Sequence, residues 1–164
     1  AHWALYCENY LEGFHVPFIH KGLNEDIDYN NYKIELLDHG VLQYTKNKST
    51  PKLKQILNND IYAYYYWIFP NMMFNFYNWG LSINIIEPIN KNKTRIKFLS
   101  FPIEGMSQPT NITSNLDKVE KEDQEVVLSV QDGIKSYHYN KGRYSAKHEM
   151  GLHYFHQLLA RYLA

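Results

Sequence analysis

The sequence predicts an α+β fold, with helices packed on one face of a curved antiparallel sheet. Three observations point there. The chain opens on a proline-free stretch, Trp3 to Phe14, that reads as a helix. Its middle is a succession of aromatic and β-branched runs cut by turn residues. Its last third carries two helical patterns.

Each element follows in order. The first helix should stop near His15, because Pro17 disfavours helical geometry at Val16. A turn follows through Gly22 and Asn24 to Asp26. Asn31 to Leu37 and Val41 to Tyr44 flank Asp38-His39-Gly40, a hairpin-like turn. Lys46 to Asn59 is polar and rich in Lys and Asn, so it is expected as a loop, with a short helix near Leu53 to Leu57. Ile61 to Phe69, Met72 to Tyr77, Leu81 to Pro88 and Thr94 to Pro102 read as consecutive strands. Pro70-Asn71, Asn78 to Gly80 and Asn90 to Asn92 punctuate them. No charged residue falls between Asp60 and Glu87, so these strands are expected to be covered on both faces. Interrupting Asn, Pro and Gly exclude a membrane span. Polar residues run from Ser107 to Asn115, then Leu116 to Lys135 reads as a helix, Tyr137 to Lys147 as a loop and Glu149 to Leu163 as a final helix.

Composition limits what the chain can do. With 164 residues it is one domain's worth, long enough to bury a core. Lys+Arg and Asp+Glu are equal at 17 each, so there is no basic footprint for nucleic acid or an anionic membrane. Fifteen tyrosines and eight phenylalanines suit either an aromatic-rich sheet or a cavity lined by rings. Cys7 is the single cysteine, which rules out an intrachain disulfide, a multi-thiolate zinc site or an iron–sulfur cluster within these residues. An unpaired thiol fits a reducing compartment, and the cytoplasm is the expected location. The chain begins Ala1-His2-Trp3 inside a helical pattern, as expected of an excerpt from a longer protein.

Two features bear on chemistry. His15 and His20 are five apart across Pro17, so they share no helical face. Spacing leaves them as unrelated histidines or as a pair that converges through a helix-to-turn geometry. In the helix from Leu116, Asp123 falls on the apolar stripe, four after Val119, three before Val126 and four before Val127. A carboxylate there is costly unless paired or metal-bound, and the alternative is a slightly rotated helix with Asp123 at its solvent border. Two histidines and one carboxylate are the facial triad of non-haem iron(II) oxygenases, which leaves positions open for O₂ and substrate.

The run Glu8-Asn9-Tyr10-Leu11-Glu12-Gly13-Phe14-His15-Val16-Pro17-Phe18-Ile19-His20 resembles the iron motif of Rieske-type ring-hydroxylating oxygenase α subunits. The nearest branch is that of the choline and carnitine monooxygenases. The resemblance continues in order through Phe69 to Met73, Asn78 to Ser82, Ile86 to Pro88, Val119 to Asp123, Val130 to Gly133, Gly142 to Ser145 and His153 to His156.

The resemblance implies a helix-grip (Bet v1/START-like) domain, an antiparallel sheet around a long C-terminal helix. It implies mononuclear Fe(II) on His15, His20 and Asp123. Glu12 falls at the acidic position that links the iron to a neighbouring subunit's [2Fe–2S] Rieske cluster, and on a helix it would point the same way as His15. Asn9 resembles an asparagine close to the iron. Residues 1–164 would be the single catalytic domain. The N-terminal Rieske domain, with its Cys-x-His and Cys-x-x-His ligands, is expected outside this chain, so the isolated domain should bind iron but receive no electrons by the normal route. The implied partners are O₂, a small organic substrate (aromatic or quaternary ammonium), two like subunits in a homotrimer, and a separate reductase or ferredoxin. The implied reaction is hydroxylation, dihydroxylation or oxidative demethylation. His153 and His156 are expected to pack or hydrogen-bond without metal. The rival from another class is a non-enzymatic helix-grip module that binds a small hydrophobic ligand. A degenerate structural paralogue is a third reading, against which the intact triad argues.

Overall fold

The computed structural model describes residues 1–48, 61–105 and 110–164. Helix α1 spans Trp3–Leu11, α2 Val16–Ile19 and α3 Lys21–Asp26. Six strands follow, β1 Ile27–Leu37, β2 Gly40–Asn47, β3 Ile61–Ile68, β4 Met72–Tyr77, β5 Gly80–Asn90 and β6 Lys93–Pro102. The chain ends with α4, Thr110–Gly133, and α5, Met150–Leu163. The strands form one antiparallel meander in sequence order. This is the α+β, helix-grip arrangement expected from the sequence.

Register explains which residues face the helices. Val41, Trp67, Met73 and Asn84 lie across from one another on four successive strands, and Gln43, Tyr65, Asn75 and Ser82 form the next row. Val41, Trp67, Met73 and Ile86 join Leu5, Cys7 and Leu11 of α1, Val127 of α4, and Phe155 and Leu158 of α5 in one buried cluster. All three long helices therefore pack on the same face. Gly80 begins β5 where a side chain cannot fit, since a Cβ there would meet the Phe101 carbonyl oxygen at 2.3 Å.

Phe155 is fully buried, with its ring edge-on to Trp67 at 5.2 Å and to Trp3 at 5.8 Å. Phe155→Ala should cost about 3–5 kcal/mol, because three elements meet on that ring and none can collapse into the void alone. Urea unfolding would show the midpoint falling with little change in slope.

Several expectations need correcting. The first helix ends at Leu11, not at His15, and Glu12 is extended (φ −119°, ψ 120°). The stretch after it is not a plain turn but two short helices. Pro17 does not prevent α2, because it sits in the first turn, where no backbone N–H is needed. Strand β1 starts at Ile27 rather than Asn31, and α4 starts at Thr110 rather than Leu116. The uncharged strands are not covered on both faces within this chain. Ile68 and Phe76 on the outer face are 44% and 37% exposed, and neighbouring rings such as Tyr66 and Phe76 shield one another instead. The short helix expected near Leu53 to Leu57 lies outside the described residues. No helix among the described residues is long and apolar enough to cross a membrane.

Candidate metal centre

The site forms where α1 gives way to α2 and α3 beneath α4. With Glu12 extended and α2 only a single turn, the chain reverses quickly enough to bring His15 and His20 face to face. They cap the two ends of α2. Their Nε2 atoms are 3.1 Å apart. Asp123 reaches down from α4, with Oδ1 at 3.0 Å from His20 Nε2 and 3.5 Å from His15 Nε2. Of the two placements open to Asp123, the structure takes the inward one. Its side chain is 14% exposed and faces both imidazoles.

These three residues form the one group of metal-ligand side chains found among the described residues. Two facing Nε2 atoms this close cannot both carry protons. Metal–donor bonds of roughly 2.1 Å set at right angles would put neighbouring donors about 3 Å apart, which is the spacing present. Two imidazoles and one carboxylate on one side of a space suit a first-row divalent metal with open positions. The residues therefore fit an iron(II) ion.

Each donor is oriented by a second side chain, as metal ligands usually are. His15 Nδ1 lies 2.5 Å from Glu12 Oε1, and its backbone N–H donates to Glu12 Oε2 at 3.1 Å. His20 Nδ1 lies 2.8 Å from Glu122 Oε2. Asn9 Nδ2 donates to Asp123 Oδ1 at 2.7 Å. Asn9 and Glu12 thus both reach the triad. Glu12 does so from extended backbone, not from the shared helical face expected of it. Glu122 was missed, because the helical pattern puts it on the charged face with Lys118 and Lys121. Its one legible sign was its adjacency to Asp123.

The triad opens into a cavity walled by Tyr6, Tyr10, Tyr32, Tyr62, Tyr65 and Tyr77, with Glu120 among its lining. Aromatic abundance therefore serves a ring-lined cavity as well as the sheet. Farther off, His156 hydrogen-bonds Glu8 and Tyr144, the hydrogen-bonding part of the role expected for it.

Residues 1–164 match the ring hydroxylating alpha subunit (catalytic domain) family from end to end. The chain belongs to that family. Among curated relatives, it is 31% identical over 164 residues to choline monooxygenase, chloroplastic, of Arabidopsis thaliana, covering 97% of this chain and 39% of the relative. It is 29% identical over 174 residues to the carnitine monooxygenase oxygenase subunit of Escherichia coli K12, covering 98% and 46%. The chain thus spans less than half the length of either relative. A solved quaternary ammonium Rieske monooxygenase superposes with a TM-score of 0.80 at 23% identity, over 99% of this chain and 47% of the other. A solved quaternary ammonium Rieske monooxygenase with L-carnitine bound gives 0.75. The fold of this ring hydroxylating alpha subunit domain is thereby shared with a Rieske oxygenase.

Protonation in the metal-free domain follows from its contacts. Burial works to lower His15, but hydrogen bonds to Asp123 and Glu12 outweigh it and hold it up at about 9. Burial works to raise Asp123, but hydrogen bonds from His15 and His20 hold it down at about 2. His15 sits above its ordinary 6.5, so its stabilisation is complete below that value and lost as pH rises through 9. Asp123 sits below its ordinary 3.8, so its contribution is present above that value and lost as pH falls through 2. Metal-free melting temperature should therefore plateau between the two ordinary values and fall on both sides. Thermal melts across pH would test this, and His15→Ala should flatten the alkaline limb. Metal affinity should rise over that same limb, because ligation needs neutral imidazoles.

Proposed function

We propose that this chain is the oxygen-chemistry domain of a Rieske-type monooxygenase acting on a small quaternary ammonium compound. The observation that carries it is the convergence of His15 Nε2, His20 Nε2 and Asp123 Oδ1 at the wall of a tyrosine-lined cavity. These residues would hold mononuclear Fe(II). When bound, the iron would supply the activation of O₂ for insertion into a substrate C–H bond. Names of relatives support monooxygenation over dihydroxylation, and a trimethylammonium substrate over an aromatic hydrocarbon. Ring faces suit such a cation.

The remaining residues have positioning roles. Asn9 holds Asp123, Glu122 holds His20, and Glu12 holds His15. We assign to Glu12 the further role of coupling His15 to a cluster on a neighbouring subunit, since its carboxylate holds both the ring Nδ1 and the backbone N–H of His15 where α1 ends. A [2Fe–2S] Rieske cluster needs two thiolates and two imidazoles. Cys7 is the sole thiol here and is fully buried. The cluster would therefore come from outside these residues. A trimer of like subunits and a reductase or ferredoxin would complete the electron supply.

Anaerobic reconstitution with ferrous ion tests the reading. One iron per chain, retained through gel filtration, is the expected result. A well-folded chain that binds apolar ligands but keeps no iron would favour the rival, a ligand-carrying helix-grip module.

A further inference from the structure

The cavity contains a carboxylate that the triad does not use. Glu120 lies one turn before Asp123 on α4 and faces the same way. Its Oε2 accepts a hydrogen bond from the Tyr6 hydroxyl, and its Oε1 accepts one from Asn84 Nδ2 at 3.0 Å. Both donors are neutral. Among the described residues, no lysine or arginine lines the cavity. Burial pushes the Glu120 carboxyl up to about 7 although the bonds from Tyr6 and Asn84 oppose it. A partly buried carboxylate with no lysine or arginine beside it is costly, and only His20 of the triad opposes that cost, so a positively charged ligand would offset it further.

Away from His15 and His20, the wall around it is aromatic and amide in character. Tyr10, Tyr65, Tyr77 and Tyr62 form a chain of edge-on rings, with successive centroids 6.5, 6.0 and 6.5 Å apart. Gln43 and Asn84 each bring a buried side-chain oxygen that has no hydrogen-bond partner. Ring faces, amide oxygens and a carboxylate present negative potential, and outside the triad histidines His15 and His20 the described lining carries no cationic side chain. Tyr6 and Asn84 already occupy a lone pair on each Glu120 oxygen. About half of its accepting capacity is thereby taken by neutral donors that leave its charge in place, and that charge suits a cation with no N–H to donate.

We propose that Glu120 is the specificity-determining anchor for the cationic head of the substrate, with the tyrosine rings packed around that head. This rests on the quaternary ammonium reading above, and the test separates the two.

Calorimetric titration of the iron-loaded chain with choline, and with its neutral carbon isostere bearing a tert-butyl group, measures the preference for charge. The wild type should favour choline by about tenfold or more, the scale of a desolvated cation contact. Glu120→Gln keeps the shape and both neighbours, and should lose that preference by weakening choline alone. Glu120→Met replaces the charge with an apolar chain of similar length, so it gives the same readout should the amide variant prove unstable. Circular dichroism and iron content would confirm that each variant is intact. Preference retained in an intact, iron-loaded variant overturns Glu120 as the anchor and leaves the substrate class standing. A wild type that binds both ligands equally, or neither, overturns the substrate class and the anchor with it.

Discussion

Replacing Asp123 by alanine is expected to leave the chain folded and without iron. Asp123 is the only anionic donor of the three, and the two imidazoles left behind, Nε2 to Nε2 at 3.1 Å, cannot neutralise a divalent ion. Loss of a group that merely orients a ligand typically weakens a site by roughly 10–100-fold, and loss of the ligand itself should exceed that. Iron after gel filtration should fall from about one per chain to less than a tenth. The metal-free variant has a second signature. Asn9 Nδ2 donates to Asp123 Oδ1 at 2.7 Å, and the substitution strands that donor on a buried residue. The cost is about 1–3 kcal/mol, a drop of several degrees in melting temperature for a domain of this size. His15→Ala should lose iron equally but leave Asn9 paired, so its metal-free form should melt higher than that of Asp123→Ala. Full iron in Asp123→Ala would mean that the three side chains converge for some purpose other than metal.

How much of this was legible in the sequence varies by element. The strands from Ile61 to Pro102 could be read because turn residues bound each run and no charge interrupts the central ones. Their inward face could not be read, because Tyr64, Tyr66 and Phe74 are as apolar as Tyr65 and Trp67. Only pairing with helices that bring Leu11 and Phe155 decides it. Asp123 was legible through helical periodicity, which speaks about faces. The histidine pair was not, since α2 is one turn long and its two ends have no periodic relation. What unites His15 and His20 is a local reversal, and the motif resemblance carried that where spacing could not. The same limit hid Glu122. A rotation of about 100° per residue puts it beside Asp123 rather than beneath it, yet a long side chain brings its carboxylate back to His20 Nδ1 at 2.8 Å.

Glu12→Gln should separate holding iron from receiving electrons. Glu12 accepts from the His15 backbone N–H with one oxygen and lies 2.5 Å from His15 Nδ1 with the other. Glutamine offers one acceptor where the glutamate offers two, so the imidazole loses either its orientation or its charged partner. Iron affinity should weaken within the roughly 10–100-fold range of an outer-shell change, and saturating ferrous ion would still fill the site. Turnover is a different matter. In an assembly that includes the cluster-bearing subunit, iron-saturated Glu12→Gln should lose activity by about 100-fold or more, at or beyond the top of that range. Substrate affinity should be unchanged, since the cation anchor assigned to Glu120 is untouched. Rapid mixing with the cluster reduced beforehand supplies a readout that misplacement of His15 alone would not produce. Cluster reoxidation itself should slow in step with turnover. If reoxidation keeps its wild-type rate while turnover falls, Glu12 only orients His15, and electrons reach the site by another route.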